Sequence, residues 1–252
     1  IRSDGNKEFT NIFNDYCKFD NKLQERLINL RNSIKTKANL GDFSKELETL
    51  ERDITLFHSE EVNKISQKIS ENIDLVGFHG QTIFHDPQNK ITKQLGDGNL
   101  LSQLTKKTVV YDFRKKDLEN GGQGAPLTPI FHNLLSNKLY NKTKNEFNNI
   151  LNIGGITNVT TTKKIGNFSE KEIEAYDIAP GNCLIDEWIR KNSNKKFDED
   201  GMIGKSGKIN EMILNQAIEN FNINSYSKSL DVKDFDISFA RGLSIEDGCA
   251  TI

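Results

Sequence analysis

The sequence has few of the residues that mark specialised classes of small protein. It contains only three cysteines in 252 residues, and Cys17, Cys183 and Cys249 fit neither a disulfide framework nor a CxxC metal motif. No stretch reaches the roughly 18 apolar residues that a membrane-spanning helix needs. These absences predict a protein of the reducing cytoplasm that has no membrane partner.

An excess of charge of one sign is also lacking. The 34 Lys and Arg residues nearly balance the 36 Asp and Glu residues, and the formal net charge is −2. A generic nucleic-acid-binding protein would usually carry a basic face, so no nucleic-acid partner is expected. The length suffices for one large domain or two modest domains with real hydrophobic cores.

The sequence does contain an alternation of helical and extended patterns. Strands that alternate with helices indicate an α/β architecture, and the polar segment Asn141–Glu146 is the predicted domain boundary. The predicted strands are Ile73–Phe78, Thr108–Phe113 and three segments after Phe147, and the predicted helices include residues 21–38, residues 47–69, Leu100–Lys106, Cys183–Lys191 and Ile209–Phe221.

Loops at the ends of predicted strands concentrate glycine and polar side chains. Ligands of open α/β sheets gather where loops leave the carboxyl ends of strands, so these are the candidate binding loops. Taken singly, each has a simpler interpretation: a Gly-Gly turn is typical of a hairpin, and an Asp at a strand end is often a helix cap. The loops are GFHGQT (77–82), VVYDFR (109–114), LNIGGITN (151–158) and YDIAPGN (176–182).

Two of these loops together indicate a phosphate site. One is a tight Gly-Gly turn whose backbone N–H groups can approach an anion, and the other opens a predicted helix, whose N-terminus adds partial positive charge. A carboxylate at the end of the strand between them is suited to hold a metal–nucleotide complex through water. The expected residues are Gly154 and Gly155 in the turn, Asn158 beyond it, Asp177 on the strand, and Gly181 and Asn182 at the helix start.

Other familiar motifs are incomplete. His79 and His85 flank GQTIF without a third ligand at zincin spacing, so no protein metal site is expected. The segment GMIGKSGK (201–208) contains Gly-Lys-Ser, but its glycine spacing is wrong for a Walker A loop and no apolar strand precedes it. His132 lies among apolar residues and is expected on a helix surface or in packing.

The motifs, taken in order, resemble a known family. GFHGQT, QLGDGNLL, VVYDFRKKDLENGGQGAPLTPIFH, NIGGITN, YDIAPGNCLIDEWI and LSIEDGCAT are together similar to the motifs of 1,6-anhydro-N-acetylmuramic acid kinases, members of the hexokinase/actin-like ATPase superfamily. The resemblance runs from Asp74 to Thr251. It implies two α/β lobes of the ribonuclease H-like type with a cleft between them: residues 1–143 with the sugar site, and residues 144–252 with the nucleotide phosphate contacts.

The resemblance also implies an activity. Such an enzyme uses ATP and Mg²⁺ to open the anhydro ring of 1,6-anhydro-N-acetylmuramic acid with water, and it phosphorylates the 6-oxygen in the same step. Asp112 would be the general base for that water, because a rigidly held carboxylate suits this task. The residues expected at the sugar are His79, Gly80, Gln81, Asp97, Arg114, Gly122 and Gln123.

Three roles stay open for Arg114. It could keep Asp112 ionised, bind the lactyl carboxylate of the sugar bidentately, or form a structural ion pair with Asp117.

The resemblance has gaps at both ends. The family's N-terminal Gly/Ser/Thr-rich turn, which contacts ATP phosphates, and its later Gly-rich adenosine motif have no counterpart in the sequence. Both lobes are therefore expected to be incomplete, and the 252 residues alone are expected to be inactive. The alternatives are another sugar kinase of the same superfamily, a non-catalytic sugar- or nucleotide-binding relative, and a scaffold. A homodimer is also left open.

Overall fold

A computed structural model describes residues 1–4, 8–143, 147–164, 171–221, 230 and 232–252. The chain divides into two compact units, Ile1–Leu127 and Thr128–Ile252. The predicted boundary segment, Asn141–Glu146, includes residues 144–146, which lie outside the described part. The boundary at 143/144 therefore stays a prediction.

The first unit begins with helices. The helix predicted over residues 21–38 is in fact two helices, because the Asn39 side chain accepts the N–H of Thr36 at 3.1 Å and starts a new one. The elements are β1 (Arg2–Ser3), β2 (Phe9–Thr10), α1 (Asn21–Ser33), α2 (Lys37–Asp42), α3 (Ser44–Lys68), β3 (Leu75–Gly77), β4 (Gln81–Asp86), β5 (Ile91–Leu95), α4 (Gly98–Thr105), β6 (Thr108–Val110) and α5 (Phe113–Glu119).

Helices α1 and α3 pack through apolar side chains at helical spacing. Leu50 and Ile54 on α3 are fully buried, and each contributes about 1.5–3 kcal/mol through burial. Helix α1 begins where Asp20 Oδ1 accepts the N–H of Leu23 at 2.8 Å. The core consists of Leu23, Leu27, Leu30, Ile34, Leu47, Leu50, Ile54, Phe78, Ile83, Leu95 and Leu101.

Two small sheets lie against this core. Strands β3 and β6 pair in parallel, and β4 and β5 form an antiparallel hairpin. Strands β3 and β6 are exposed at alternate positions, since Leu75 is 55% exposed and Val110 is 41% exposed. Successive side chains point to opposite faces, and only the face with Val76 and Val109 packs on the core.

The strand predicted over Thr108–Phe113 is also too long. Strand β6 ends at Val110, and Phe113 begins α5. Asp112 has φ 58° and ψ 34°, a left-handed conformation that Asp tolerates better than most residues. The carboxylate therefore stands on a turn into a helix rather than at the end of an extended strand.

The second unit contains the predicted strand-rich block. Its three strands, β7 (Phe147–Ile153), β8 (Ile156–Lys164) and β9 (Lys171–Pro180), form an antiparallel meander. The elements are α6 (Pro129–Thr143), β7 (Phe147–Ile153), β8 (Ile156–Lys164), β9 (Lys171–Pro180), α7 (Asn182–Asn192), α8 (Met202–Ser206), α9 (Glu211–Asn220) and α10 (Ile245–Thr251), with 3₁₀ turns at Glu199–Gly201, Val232–Asp234 and Ser238–Ala240.

Helix α6 packs on β8 through polar pairs. His132 Nδ1 lies 2.6 Å from Thr160 Oγ1, and the hydroxyl groups of Ser136 and Thr162 are hydrogen-bonded to each other. All four side chains are buried. His132 is therefore a packing residue, as the sequence predicted.

Trp188 on α7 is central to the second core. Its Nε1–H donates to the carbonyl oxygen of Ile245 at 2.9 Å, and Gly248 on α10 lies against its ring. Both units combine helices with strands, which confirms the α/β class. Within the described ranges, the helices are all too short or too polar to cross a bilayer. The buried members of this core are Cys183, Leu184, Trp188, Ile189, Ile237, Ala240 and Cys249.

Candidate active site

The parallel pairing of β3 and β6 brings two predicted site residues to one edge of a sheet. Gly77 and Val110, which end these strands, are register partners, and the N–H of Phe78 donates to the Val110 carbonyl at 2.8 Å. His79 and Asp112 each follow within two residues. Both therefore lie just beyond the carboxyl ends of parallel strands, where ligands of α/β proteins gather.

The Asp112 side chain is exposed and does not cap α5, although Asp112 directly precedes that helix. The helix-cap interpretation is therefore wrong. A left-handed backbone at a non-glycine residue costs on the order of 1 kcal/mol, and such strain clusters where a side chain must be aimed. In the described part of the chain, no hydrogen-bond partner occupies the carboxylate oxygens of Asp112.

Arg114 and His79 are hydrogen-bonded to each other. Arg114 Nε–H donates to His79 Nε2 at 3.0 Å, and His79 Nδ1 lies 2.9 Å from the carbonyl oxygen of Gly80. A guanidinium can only donate, so Nε2 is the unprotonated nitrogen and Nδ1–H donates to Gly80. The imidazole is therefore neutral in this arrangement, with one fixed tautomer.

Arg114 is half-buried, and burial lowers the pKa of its guanidinium from the ordinary value. Among the described residues, no carboxylate lies within ion-pair distance of this side chain, Asp112 and Asp117 included. A guanidinium that has lost water without gaining a counter-charge is suited to bind an anion.

Asp117 instead organises the glycine-rich loop that follows α5. Its Oδ2 accepts the N–H of Gly124 at 2.6 Å, and its carbonyl oxygen accepts the N–H of Gly122 at 2.8 Å. The N–H of Gly122 is thus used within the loop, whereas Gln123 is exposed. The loop is anchored at both ends to one residue of α5.

Gly80 fixes the path of the chain from β3 into β4. Its φ is 69°, and a Cβ atom there would lie 2.2 Å from the carbonyl oxygen of Leu95. Gln81 pairs with Leu95 in the hairpin, and Asp97 follows shortly after. Gln81 and Asp97 are therefore at the same end of the hairpin, next to the loop that carries His79.

Asp97 has a structural task in addition to any contact with a ligand. Its Oδ1 accepts the N–H of Leu100 at 2.9 Å and so caps α4. Its own N–H donates to Thr55 Oγ1 at 2.9 Å, and Glu51 Oε1 accepts the N–H of the preceding Gly96 at 3.3 Å. Thr55 and Glu51 lie one turn apart on α3, so this helix holds the loop in place.

Thr55 and Glu51 are absent from the residues that the sequence motifs single out. The sequence feature that could have identified Thr55 is its position next to Ile54 on the apolar face of α3. The structure shows that its side chain is 0% exposed. A hydroxyl group tolerates such burial only with hydrogen-bond partners. Thr55 donates to the Glu51 carbonyl at 2.7 Å and accepts from the Asp97 N–H.

In the second unit, the two predicted phosphate loops are hydrogen-bonded to each other. The N–H groups of Gly181 and Cys183 donate to the Gly155 carbonyl at 2.9 and 3.3 Å, and that of Asn182 donates to the Gly154 carbonyl at 2.7 Å. The loops adjoin, but the expectation that the N–H groups of Gly181 and Asn182 face an anion is wrong. Because the two loops lie close together, these N–H groups donate to carbonyl oxygens of the neighbouring loop instead.

The two glycines that meet across this junction differ in the space around them. A Cβ atom at Gly181 would lie 2.2 Å from the Gly154 carbonyl oxygen, so the close approach requires glycine. A Cβ atom at Gly155 would meet nothing nearer than Cys183 Cβ at 4.0 Å, and Gly155 is exposed. The accessible side of the junction is therefore at Gly155.

Asn158 and Asp177 are register partners across β8 and β9. Asp177 lies within β9, which continues to Pro180, and not at its end as the sequence predicted. Burial raises the pKa of the Asp177 carboxyl, although the Leu230 N–H, which donates to Oδ2 at 2.9 Å, acts in the opposite direction. In the described region, Asn158 Oδ1 is buried without a hydrogen-bond partner. A cation or a hydrogen-bond donor would satisfy both groups.

The Gly-Lys-Ser segment is not a phosphate loop. Lys205 and Ser206 lie within α8, and the 3₁₀ turn Glu199–Gly201 precedes that helix instead of a strand. Among the described residues, no three His, Cys, Asp or Glu side chains are arranged to hold a metal ion.

A family model described as anhydro-N-acetylmuramic acid kinase matches residues 3–241. The chain belongs to this family. A curated anhydro-N-acetylmuramic acid kinase of Pelagibacter ubique is 50% identical over 100% of the chain, and one of Brucella canis is 36% identical over 93% of it. One of Rhizobium etli is 36% identical over 82% of the chain.

The chain spans only part of these anhydro-N-acetylmuramic acid kinases. It covers 66% of the Pelagibacter relative, 61% of the Brucella relative and 55% of the Rhizobium relative. Every predicted site residue, from His79 to Asn182, lies within the residues that the family model matches. The candidate site residues of each unit therefore fall inside the shared region.

Proposed function

We propose that the chain supplies the sugar site and nucleotide contacts of a kinase that opens 1,6-anhydro-N-acetylmuramic acid and phosphorylates its 6-oxygen, giving N-acetylmuramic acid 6-phosphate and ADP. The observation that carries this proposal is the Asp112 carboxylate, which is exposed, is not used as a cap and stands on a left-handed backbone in the turn between β6 and α5. Family membership supports the choice of substrate.

Asp112 has a task that ordinary sugar kinases do not require. In those enzymes a base deprotonates a substrate hydroxyl, whereas the bridging oxygen of an anhydro sugar carries no proton. Water must instead attack the anomeric carbon while the C1–O6 bond breaks, and O6 forms a bond to the γ-phosphorus as the bond from that phosphorus to the bridging oxygen breaks and ADP leaves. Asp112 accepts the proton of that water, a role that contributes about 10²–10⁴-fold to a rate.

The other residues of the first unit position the sugar. Gln81 and the second carboxylate oxygen of Asp97, the first being used to cap α4, are suited to sugar hydroxyl groups. Gly80 and Gly122 let the backbone approach, and Gly122 does so through its carbonyl because its N–H is used within the loop. The exposed Gln123 completes this set.

The nucleotide contacts belong to the second unit in this proposal. The exposed Gly155 backbone and the exposed Asn182 side chain would meet phosphate oxygens, next to Gly154 and Gly181. When bound, Mg²⁺ would neutralise charge on the phosphates, and Asp177 with Asn158 would hold it through water. Mg²⁺ usually takes one or two carboxylates besides phosphate and water, and the desolvated Asp177 carboxylate fits that pattern.

The remaining features stay predictions. They are the division into incomplete lobes at 143/144, the cleft between them, cytoplasmic location and a homodimer.

Asp112→Asn in the complete gene product tests the proposal. Asn accepts the left-handed conformation as readily as Asp, so the fold is retained while the basic site is lost. We expect kcat to fall by roughly 10²–10⁴-fold, with little change in the KM values for sugar and ATP. Calorimetry should show that both ligands still bind.

Asp74→Asn is the matched control, since Asp74 is an exposed carboxylate of the same unit outside the proposed site. It should leave turnover unchanged. Near-normal turnover in Asp112→Asn would contradict the assignment of the base, and turnover of a non-anhydro amino sugar in preference to the anhydro sugar would favour the alternative sugar kinase.

A further inference from the structure

We propose that His79 is a positioning residue that directs Arg114 towards a carboxylate on the sugar, so that the pair selects acidic 1,6-anhydro amino sugars over neutral ones. This inference rests on the proposed kinase function. It assigns His79 a role other than direct contact with a sugar hydroxyl, and it selects one of the three roles left open for Arg114.

The His79 ring is oriented by backbone on one side. Its Nδ1–H donates to the Gly80 carbonyl at 2.9 Å. Gly80 in turn packs closely against Leu95, because a Cβ atom added at Gly80 would lie 2.2 Å from the Leu95 carbonyl oxygen. The start of the β4–β5 hairpin therefore fixes the orientation of the His79 ring.

The other ring nitrogen orients the guanidinium. Arg114 Nε–H donates to His79 Nε2 at 3.0 Å, so both nitrogens of the imidazole are used and neither is left for a sugar hydroxyl. The glycine-rich loop packs against the stem of Arg114, since a Cβ atom added at Gly124 would lie 3.3 Å from Arg114 Cβ. The side chain is thus held at its Nε and along its stem.

The two terminal nitrogens of Arg114 remain for a ligand. Within the described ranges, neither Nη atom has a hydrogen-bond or ion-pair partner, and the guanidinium is half-buried. Two parallel N–H groups match the two oxygens of a carboxylate, which is the bidentate geometry that arginine favours. An anion bound to these nitrogens would also compensate for the hydration that the guanidinium loses on burial.

The substrate class follows from its charges. The hydroxyl, amide and acetal groups of an anhydro amino sugar are neutral, and the carboxylate of the ether-linked lactyl group is its single anion. Arg114 follows Asp112 by two residues, so a carboxylate on Arg114 would fix the sugar close to the general base. A phosphate oxygen is the competing anion and is distinguished by the experiment.

The experiment compares two sugars in the complete gene product: 1,6-anhydro-N-acetylmuramic acid and 1,6-anhydro-N-acetylglucosamine, which lacks the lactyl group. His79→Ala and Arg114→Ala should raise the KM for the acidic sugar about 10- to 100-fold, the range expected for a lost hydrogen bond to a charged group. Neither should change the KM for the neutral sugar, and kcat for both sugars should change much less.

A rescue variant separates positioning from general structure. His79→Gln places an amide oxygen where Nε2 accepts from Arg114, and it should recover most of the affinity for the acidic sugar. Arg52→Ala, which removes an exposed arginine of α3, is the control and should change nothing. Thermal unfolding should be the same in all four variants.

Two results would overturn the inference. One is an equal loss of affinity for both sugars, and the other is a raised KM for ATP, which would assign Arg114 to phosphate. If the wild-type protein turns over neither sugar, the proposed function fails, and calorimetry with the two sugars still decides the inference. Equal binding of the acidic and neutral sugars would then contradict it.

Discussion

The backbone N–H of Asn182 donates to the carbonyl oxygen of Gly154 at 2.7 Å, so the β7–β8 turn and the first residue of α7 form one hydrogen-bonded junction. Both ends of a candidate nucleotide site are thereby joined through backbone alone. A substitution on one side of the junction should move the other side, which gives a direct test of how tightly the two are coupled.

Gly181→Ala should destabilise the second unit. The new Cβ atom would lie 2.2 Å from the Gly154 carbonyl oxygen, which forces the backbones apart and weakens three hydrogen bonds across the junction. We expect the free energy of unfolding to fall by about 1–3 kcal/mol, the usual cost of overpacking. Urea denaturation followed by tryptophan fluorescence measures it, since Trp188 lies on α7.

Gly155→Ala provides the control for the loss of a glycine in the same turn. Its Cβ atom would have 4.0 Å of clearance to Cys183 Cβ, so stability should change by less than about 1 kcal/mol. An equal loss in both variants would mean that the junction does not depend on close approach at Gly181.

Thr55→Val should loosen the Asp97 loop. Valine has the shape of threonine but cannot accept the N–H of Asp97, which would then stay in the part-buried loop without its partner. We expect a loss of about 1–3 kcal/mol in unfolding free energy. Under the proposed function, the KM for the sugar should also rise, because the loop that presents Asp97 moves. Hydrogen exchange at the Asp97 amide reports the local change.

Thr55→Ser retains the hydroxyl and should restore most of the amide protection. Thr49→Val on the same helix is the matched control, since Thr49 is exposed and bonds only within α3. It should stay within about 0.5 kcal/mol of the wild type. Unchanged exchange at Asp97 in Thr55→Val would show that α3 does not hold the loop.

Asp177→Asn should stabilise the protein at neutral pH. Burial raises the pKa of this carboxyl above its ordinary value of 3.8, so the unfolded chain releases the proton first and stability falls as pH rises through the folded-state pKa. Asparagine removes that cost and can still accept the Leu230 N–H. Its advantage in urea denaturation should be largest at pH 7 and should shrink as the pH approaches 4.

Asp236→Asn should show the opposite trend. A hydrogen bond from Ser238 holds the pKa of Asp236 below its ordinary value, so the ionised form stabilises the fold and the variant should lose stability at neutral pH relative to pH 4.

If Asp177→Asn were less stable than the wild type at pH 7, the Asp177 carboxylate would be stabilising rather than costly. Under the proposed function, Asp177→Asn should also lower activity with ATP and Mg²⁺.

Local patterns predicted the parts of the fold that depend on local physics. The apolar spacing along α3 and the run after Phe147 predicted their elements because helix and strand periodicities differ. The end of β6 could not be predicted in this way. Asp112 adopts a left-handed conformation that turns the chain, and Phe113 begins a helix although it follows a β-branched, strand-like segment.

The contacts that support the candidate site were beyond the reach of sequence pattern. Asp97 and Thr55 are separated by 42 positions, and His79 and Arg114 by 35, so these bonds depend on how the elements pack. The sequence placed Gly154, Gly155, Gly181 and Asn182 in one site. It could not show that their backbone groups bind one another, because glycine and helix starts serve an anion and a neighbouring carbonyl equally well.

The polar contacts between α6 and β8 have a consequence for how that helix can move. An apolar face tolerates small sliding motions, but here His132 is hydrogen-bonded to Thr160, and Ser136 to Thr162 and to the Asn148 side chain on β7, in a buried interface. A shift of the helix along the strand would leave buried hydroxyl and imidazole groups unpaired, at about 1–3 kcal/mol each. The helix therefore has discrete docking positions rather than a continuous range, and α6 should respond to strain by staying in register or by detaching as a unit.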